Sequence, residues 1–391
     1  MTVKPAVSGA NQQSGKRNVI NFLTKNSMTI ALVLVFVLFY FLTNKRLLLP
    51  QNMSNLLLQN GYVLVLACGM LLCILTGGNI DLSVGSVICL VGGFAATMLG
   101  KGWGTAATIF VSLIMGLLIG MWNGFWIGYM HIPPFITTLG GMFMFRGFGR
   151  VILDNKTVAI SNKGFLNVFT SYVPGQMTAV IVGVIIAVVV VINTVRSRAS
   201  KAKKGYRQNS IASDYIKAFV IAALVIWYSF KLKAYKGIPV MLIWVLAICL
   251  IYAFITSKTA FGRYFYAVGG NEKATQLSGI DTKKVYFIAY ANMGLLAGLA
   301  GLLVAARVGS VNGSTGNSFE MDAIGSCFIG GASAYGGSGT VGGAMIGALL
   351  LGTINMGMSI MGIGDSWQYV VKGAVLLAAV IFDVISTEGQ S

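Results

Sequence analysis

Acidic residues are scarce in this chain: 10 Asp and Glu stand against 28 Lys and Arg, and the four charged types together make up only 10% of the sequence. A soluble domain is nearer a quarter charged, so an ordinary water-soluble surface is excluded for most of the chain. Histidine is nearly missing, with His131 alone, which leaves almost nothing from which to build a His-based zinc or catalytic centre. The five cysteines, Cys68, Cys73, Cys89, Cys249 and Cys327, all lie in apolar stretches and none forms a Cys-x-x-Cys pair. They read as small packing residues, not as disulfides or metal ligands. The glycine run at 330–343 lacks the lysine of a phosphate-cradling loop, and no such motif occurs elsewhere, so the chain holds no nucleotide site of its own. Gly-x-Ser-x-Gly and His-Glu-x-x-His are also absent, and no catalytic residue is assigned. The polar first 27 residues carry no short apolar core with a cleavage site, so no removable signal peptide is expected.

What is abundant is apolar sequence: 56% of the residues, with a mean hydropathy of +0.80. Apolar stretches long enough to cross a bilayer run over 28–44, 60–76, 81–99, 105–129, 135–153, 177–195, 215–231, 238–256, 286–306, 340–361 and 366–385. A shorter glycine-rich stretch at 319–336 crosses or re-enters, giving about 11 or 12 passages. Residues 48–59 read as a separate short amphipathic lead-in helix. The expectation is an all-α polytopic membrane protein. It has a cytoplasmic tail at 1–27, a transmembrane domain at 28–385 and a C-terminal tail at 386–391.

The net charge of +18 does not point to nucleic acid, because the basic residues gather in loops between spans. Lys4, Lys16, Arg17 and Lys25 precede the first span. Arg196, Arg198, Lys201, Lys203, Lys204 and Arg207 follow the sixth, and Lys258, Arg263, Lys273, Lys283 and Lys284 follow the eighth. With alternating spans these fall on one side, the cytoplasm, as do both termini. Lys231, Lys233 and Lys236 fall on the other side and run against the rule.

"LTGGNIDLSVGS", residues 75–86, sets a carboxylate and helix-breaking glycines beside lipid-grade sequence. An ionised group there must face protein, water or an interface. Asp81 and Asp322 both lead into small-residue helices and read as N-caps, a role compatible with a broken helix lining an aqueous path. Asn79 and Ser83 flank Asp81. Asn123, Asn292 and Asn355 sit inside apolar helices and need partners, either a neighbouring helix or a hydroxyl of a ligand. Gly116, Gly120, Gly124 and Gly128 recur every fourth position, and Gly294, Ala297, Gly298 and Gly301 form a second small-residue stripe that lets helices approach closely. Lys372 lies in the last span with no partner evident from sequence. A faint repeat relates "IDLSVGSVICLVGG" (80–93) to "MDAIGSCFIGG" (321–331), and Gly120–Asn123 to Gly352–Asn355. Repeated, glycine-interrupted helices suit a transporter.

The loop "SKTAFGRYFYAVGGNEKATQLSGIDTKKV", 257–285, is amphipathic. Gly269 and Gly270 read as a turn, Asn271 as an N-cap and Glu272 to Ser278, with Ala274 and Leu277, as a short helix ended by Gly279. Two turns are too short to be stable alone, so this helix must dock on its own spans or in a partner's groove. A rival enzymatic reading takes "GIGD" at 362–365 as an intramembrane aspartyl protease motif, with Asp81 or Asp322 as second carboxylate. Asp365 before Ser-Trp-Gln also fits a helix cap. A gradient-driven secondary transporter is the other alternative.

Three stretches, "GGNIDLSVGS", "GRYFYAVGGNEKATQLSGI" and "DAIGSCFIGGASAYGGSGTVGGAMIGA", resemble permease subunits of bacterial sugar ABC importers of the ribose, xylose and galactose branch, as does the closing "SWQYVVKGAVLL". The likeness covers about 50–385. The hydrophobic insert at about 196–237 resembles the xylose and multiple-monosaccharide permeases more than the shorter ribose type. The resemblance implies a bacterial inner-membrane protein whose two copies, a homodimer, form the pathway. A cytoplasmic ATPase pair would hold ATP and Mg, and an external binding protein would deliver the sugar, with no cofactor on this chain. It also implies that Gly270 to Gly279 is the coupling element seated in the ATPase, and that Asn79 and Asp81 stabilise a gate.

Overall fold

The computed structural model describes residues 27–204 and 211–388. The basic residues read in the N-terminal tail, Arg207 of the insert and the end of the C-terminal tail lie outside them. Ser27–Leu42 forms α1, followed by a single 3-10 turn at Arg46–Leu48 and then by α2, Pro50–Leu75. Helix α2 is continuous, so the expected lead-in helix at 48–59 is not a separate element. Pro50 at its first position supplies the preset φ of a helix start, and no breaker follows until Gly77. Val84–Gly100 is α3, Thr105–Gly128 is α4 and Pro134–Ile152 is α5. After strand β1, Val158–Ala159, come α6, Lys163–Thr170, and the insert pair α7, Met177–Lys203, and α8, Ile211–Lys233. Arg196, Arg198, Lys201 and Lys203 therefore lie on the last turns of α7 and not in a loop. Cations are favourable at a helix C-terminus, and the Arg198 guanidinium pairs with Asp214 of α8.

The remainder holds α9, Val240–Lys258, α10, Ala260–Gly270, α11, Glu272–Leu277, and the long α12, Thr282–Val308. Strand β2, Ser310–Val311, pairs antiparallel with β1, and α13, Phe319–Ile329, α14, Val341–Ile360, and α15, Asp365–Glu388, close the chain. Local chemistry sets several starts: the side chains of Asn162, Thr259, Asn271, Asp281 and Thr340 each accept a backbone N–H three residues on.

Among the described residues, seven helices are long and apolar enough to cross a membrane: α2, α4, α7, α8 from Asp214, α9, α12 and α14. The shorter apolar helices Met28–Leu42 and Val84–Gly100 add to them. The architecture is all-α and polytopic, with the two-residue strand pair its one sheet among the described residues. Helices α2 and α12 are buried along most of their length and form the core, with α3, α4, α9, α13 and α14 around them. Large apolar side chains on α1, α7, α8 and α15 face outward, as lipid contact requires.

The glycine stripe of α4 explains the core's most extensive helix contact. A Cβ at Gly116, Gly120, Gly124 or Gly128 would come 2.4–2.6 Å from a backbone oxygen of α12, at Gly294, Tyr290, Phe287 and Lys283 respectively. With no side chain on that face, the two backbones lie against each other along about four turns.

Candidate functional site

Between α2 and α3 the chain breaks at Gly77 and Gly78, whose φ values of +116° and +75° are accessible mainly to glycine. The segment that follows folds back among the helices. Asp81 is fully enclosed. Its Oδ1 accepts from Ser83 N at 2.8 Å and from Ser83 Oγ at 2.6 Å. Ser83 Oγ in turn accepts from Asn123 Nδ2 of α4 at 3.0 Å, and Tyr290 OH of α12 donates to the Ile80 carbonyl at 3.3 Å. Asp81 thus fixes the residue that precedes α3 and not a free N–H within its first turn, a shift of one step from the expected cap. Asn79 stays local, donating to the Thr76 carbonyl at 3.1 Å. Asn123 Oδ1 remains buried without a hydrogen-bond partner.

The other asparagines lie apart. Asn292 Oδ1 accepts from Tyr252 OH, while its Nδ2, like Asn355 Oδ1, is buried and unpartnered. Asp322 is not a helix cap. It lies inside the first turn of α13, behind an N-cap Ser318 at φ 63° that makes no side-chain bond. Its carboxylate takes a 2.9 Å hydrogen bond from Tyr62 OH of α2 and one of 3.1 Å from Lys372 Nζ of α15, which also sits 2.9 Å from Oδ1. A lysine in an apolar helix needs a counter-charge, and Asp322 meets that need. The Asp81 and Asp322 halves of the faint repeat therefore do different work. Asp365 is exposed at the start of α15, whereas Asp81 and Asp322 are buried with other partners, an arrangement unlike two carboxylates sharing a proton.

The loop 257–285 is built as α10 and α11. Gly269 and Gly270 are the last residues of α10, not a turn, and the chain bends at Asn271, which is extended at φ −161°. Asn271 Oδ1 accepts from Ala274 N at 2.9 Å, starting α11. Glu272 Oε2 accepts from Tyr286 OH at 3.1 Å, Ser278 follows the last turn, and Gly279 leaves it at φ +84°. Ala274 and Leu277 point outward, and Leu277 is 84% exposed.

Sequence reading missed what joins these parts. The turn between α13 and α14, residues 330–340, lies against both the break and α10. A Cβ at Gly269 would lie 1.8 Å from the Leu75 oxygen and 2.5 Å from Gly337 N, while Gly337 N donates to that same Leu75 oxygen at 3.0 Å. A Cβ at Gly336 would lie 2.4 Å from Gly77 N and Cα, and one at Gly78 would lie 2.0 Å from the Ala334 oxygen. Tyr266 OH of α10 donates to the Gly339 carbonyl at 2.9 Å. The density of glycines in 330–343 was the available signal.

A family profile described as "Branched-chain amino acid transport system / permease component" matches residues 52–380. The chain belongs to this permease family. The permease is 37% identical to the xylose transport system permease protein XylH of Haemophilus influenzae over 358 residues, 91% of its own length and 95% of that protein's. It is equally similar to XylH of Escherichia coli, over 91% and 90% of the two chains. It is 30% identical to the ribose import permease protein RbsC of E. coli over 85% of each. No solved structure matches the permease. The 257–285 loop, the break at 75–83 and the glycine turn all fall within the matched region.

Asp81→Ala is expected to leave the Ser83 N–H and hydroxyl without their acceptor and to free the hydroxyl that Asn123 Nδ2 is bonded to. Orphaned buried groups of this kind cost about 1–3 kcal/mol. A lower thermal midpoint and poorer yield of the purified permease would register it; wild-type values for both would show that Asp81 is dispensable.

Proposed function

We propose that this permease is the membrane-spanning subunit of an ATP-driven monosaccharide importer, of the xylose or multiple-sugar kind. In this reading two copies form the pathway in a bacterial inner membrane with both termini cytoplasmic. A cytoplasmic ABC ATPase carries ATP and Mg and docks on 257–285, and an external binding protein presents the sugar. The observation that carries it is α11. It is a two-turn helix with an exposed leucine, held at its N-terminal end by the Asn271 cap and the Glu272–Tyr286 bond, and it offers an apolar contact that its own chain does not use. A partner's groove supplies the missing burial.

The same helix follows directly from α10, which rests on the glycine turn and through it on the break at Gly77 and Gly78. Displacement of α11 by an ATPase would therefore reach Asp81, Ser83 and Asn123 through backbone contacts with little slack. Such close packing favours two discrete arrangements, inward- and outward-open, over a continuous deformation. The similarity to xylose and ribose permeases supports the sugar class.

The test is gentle purification of the tagged permease from its native membrane, with mass spectrometry of what accompanies it, for wild type and for Glu272→Ala/Leu277→Asp. A P-loop ATPase present with the wild type and lost from the variant is the expected result. No ATPase with either, under conditions that retain known complexes of this kind, would favour the gradient-driven transporter instead.

A further inference from the structure

Away from the break and the 257–285 loop, a cavity of about 410 Å³ opens between α3, α5, α13 and α15. Its size falls within the range of small-molecule sites, about 300–1,000 Å³. Its wall carries charges that the preceding sections leave without a role. Arg146 and Arg150 project from α5, one turn apart, and Glu320 from the first turn of α13. Charged groups that face the interior of a membrane bundle are rare and mark substrate or ion paths.

Arg146 is occupied: its Nη1 donates to the Thr315 carbonyl at 2.5 Å and lies 3.4 Å from that of Gly313, pinning the 309–318 loop. Arg150 and Glu320 enter no ion pair among the described residues. Space for the Glu320 carboxylate exists because residue 85 is glycine; a Cβ there would lie 2.4 Å from Glu320 Oε2. At the next residue of α3, Ser86 Oγ borders the same cavity, fully enclosed and without any hydrogen-bond partner. A hydroxyl left in that condition costs free energy unless something else supplies its bond. Ser318, also on the wall, is held at φ 63°, a conformation that non-glycine residues keep where the surroundings impose it.

We propose that this cavity is a binding site for a neutral polyhydroxylated ring, a single pentose or hexose, held by Ser86, Arg150 and Glu320. The proposal rests on the importer reading and adds a place in the membrane domain where the sugar is itself recognised. The chemistry selects the ligand class. An anion would meet Glu320, and a cation would meet two guanidinium groups. A sugar hydroxyl both donates and accepts, so one ring can give a proton to Glu320 and take one from Arg150 or Ser86. Phe143 and Tyr369, both largely exposed at the rim, offer ring faces to the C–H side of a pyranose.

Two measurements test it. The purified permease in lipid nanodiscs is examined by saturation-transfer NMR with D-xylose, D-ribose and tetrahydropyran, the last a pyranose-sized ring without hydroxyls. In parallel, uptake of labelled xylose and ribose is followed in the native host carrying wild type, Glu320→Gln, Arg150→Gln or Ser86→Ala. The expected result is a sugar signal at least about tenfold stronger than that of tetrahydropyran. Glu320→Gln and Arg150→Gln should lose it and reduce uptake about tenfold, while each variant still co-purifies with the ATPase. The wild-type comparison needs no variant to fold. Equal signals for sugar and tetrahydropyran, or variants that match the wild type while the wild type transports sugar, would overturn the site and leave the importer reading standing. Sugar uptake unchanged by deletion of the permease would overturn the importer reading and the assigned ligand with it.

Discussion

Lys372→Met, made alone, is expected to lose most of the folded permease. Asp322 is 1% exposed, and its carboxylate is shared by Lys372 and Tyr62, so the substitution leaves a buried charge facing one phenol. Removing one partner of a buried pair costs about 3–5 kcal/mol. The location raises the consequence. Helix α13 has 11 residues, too few to cross a bilayer, and Asp322 ties it to α2 through Tyr62 and to α15 through Lys372. Tyr62 also stacks on Phe319 at 4.0 Å between ring centres, so its ring and its hydroxyl hold the same short helix. The double variant Asp322→Leu/Lys372→Met removes both charges together and is expected to recover much of the loss, because a desolvated pair contributes little net stability over an apolar replacement. Gel filtration and thermal unfolding of the two proteins in one detergent make the comparison. A Lys372→Met protein as stable as the wild type would show that Asp322 does not depend on the lysine's charge.

That pair marks the limit of what the sequence discloses. Both residues stood out as charges in apolar helices, yet they are 50 positions apart, on helices whose packing no local pattern encodes. Spans were legible because lipid imposes length and hydropathy, and the α4 stripe was legible because close approach demands small residues at one-turn spacing. The start of α3 was readable to within a step, since the Gly77-Gly78 break and Asp81 act over a few residues. The continuity of α2 through 48–59 was not, because the polar Gln51, Asn52 and Asn55 resemble a separate amphipathic piece although nothing there interrupts the backbone ladder. Gly269 and Gly270 misled for a related reason. A glycine pair signals a turn, but here Gly269 serves a close contact inside a helix. The cavity residues Arg146, Arg150 and Glu320 were visible as intramembrane charges in principle; what brought them together is the descent of 309–318 against Gly85, a tertiary event.

Gly269→Ala and Gly270→Ala form a matched pair one residue apart, and they are expected to differ sharply. Both sit on the last turn of α10, where alanine is the better helix former. At Gly270 nothing lies within 4 Å of an added Cβ, so the change should be neutral or slightly stabilising. At Gly269 the Cβ would lie 1.8 Å from the Leu75 oxygen, a backbone atom that also accepts from Gly337 N, so neither neighbour can yield without breaking that bond. Overpacking costs about 1–3 kcal/mol even where side chains can adjust; here the relief open to the chain is to lift α10 off the end of α2 and the glycine turn. Helix α11, lying beyond Asn271, keeps its cap and its exposed Leu277. If the importer reading holds, the Gly269→Ala permease retains its ATPase on purification but transports sugar at least about tenfold more slowly, since about 1.4 kcal/mol of misplaced contact free energy is already a factor of ten. Gly270→Ala should match the wild type in both assays. Equal uptake by the two variants would mean that the α10 contact does not transmit motion, and the link between the 257–285 loop and the break at Gly77 would then have to run through α12, where Tyr290 meets the Ile80 carbonyl.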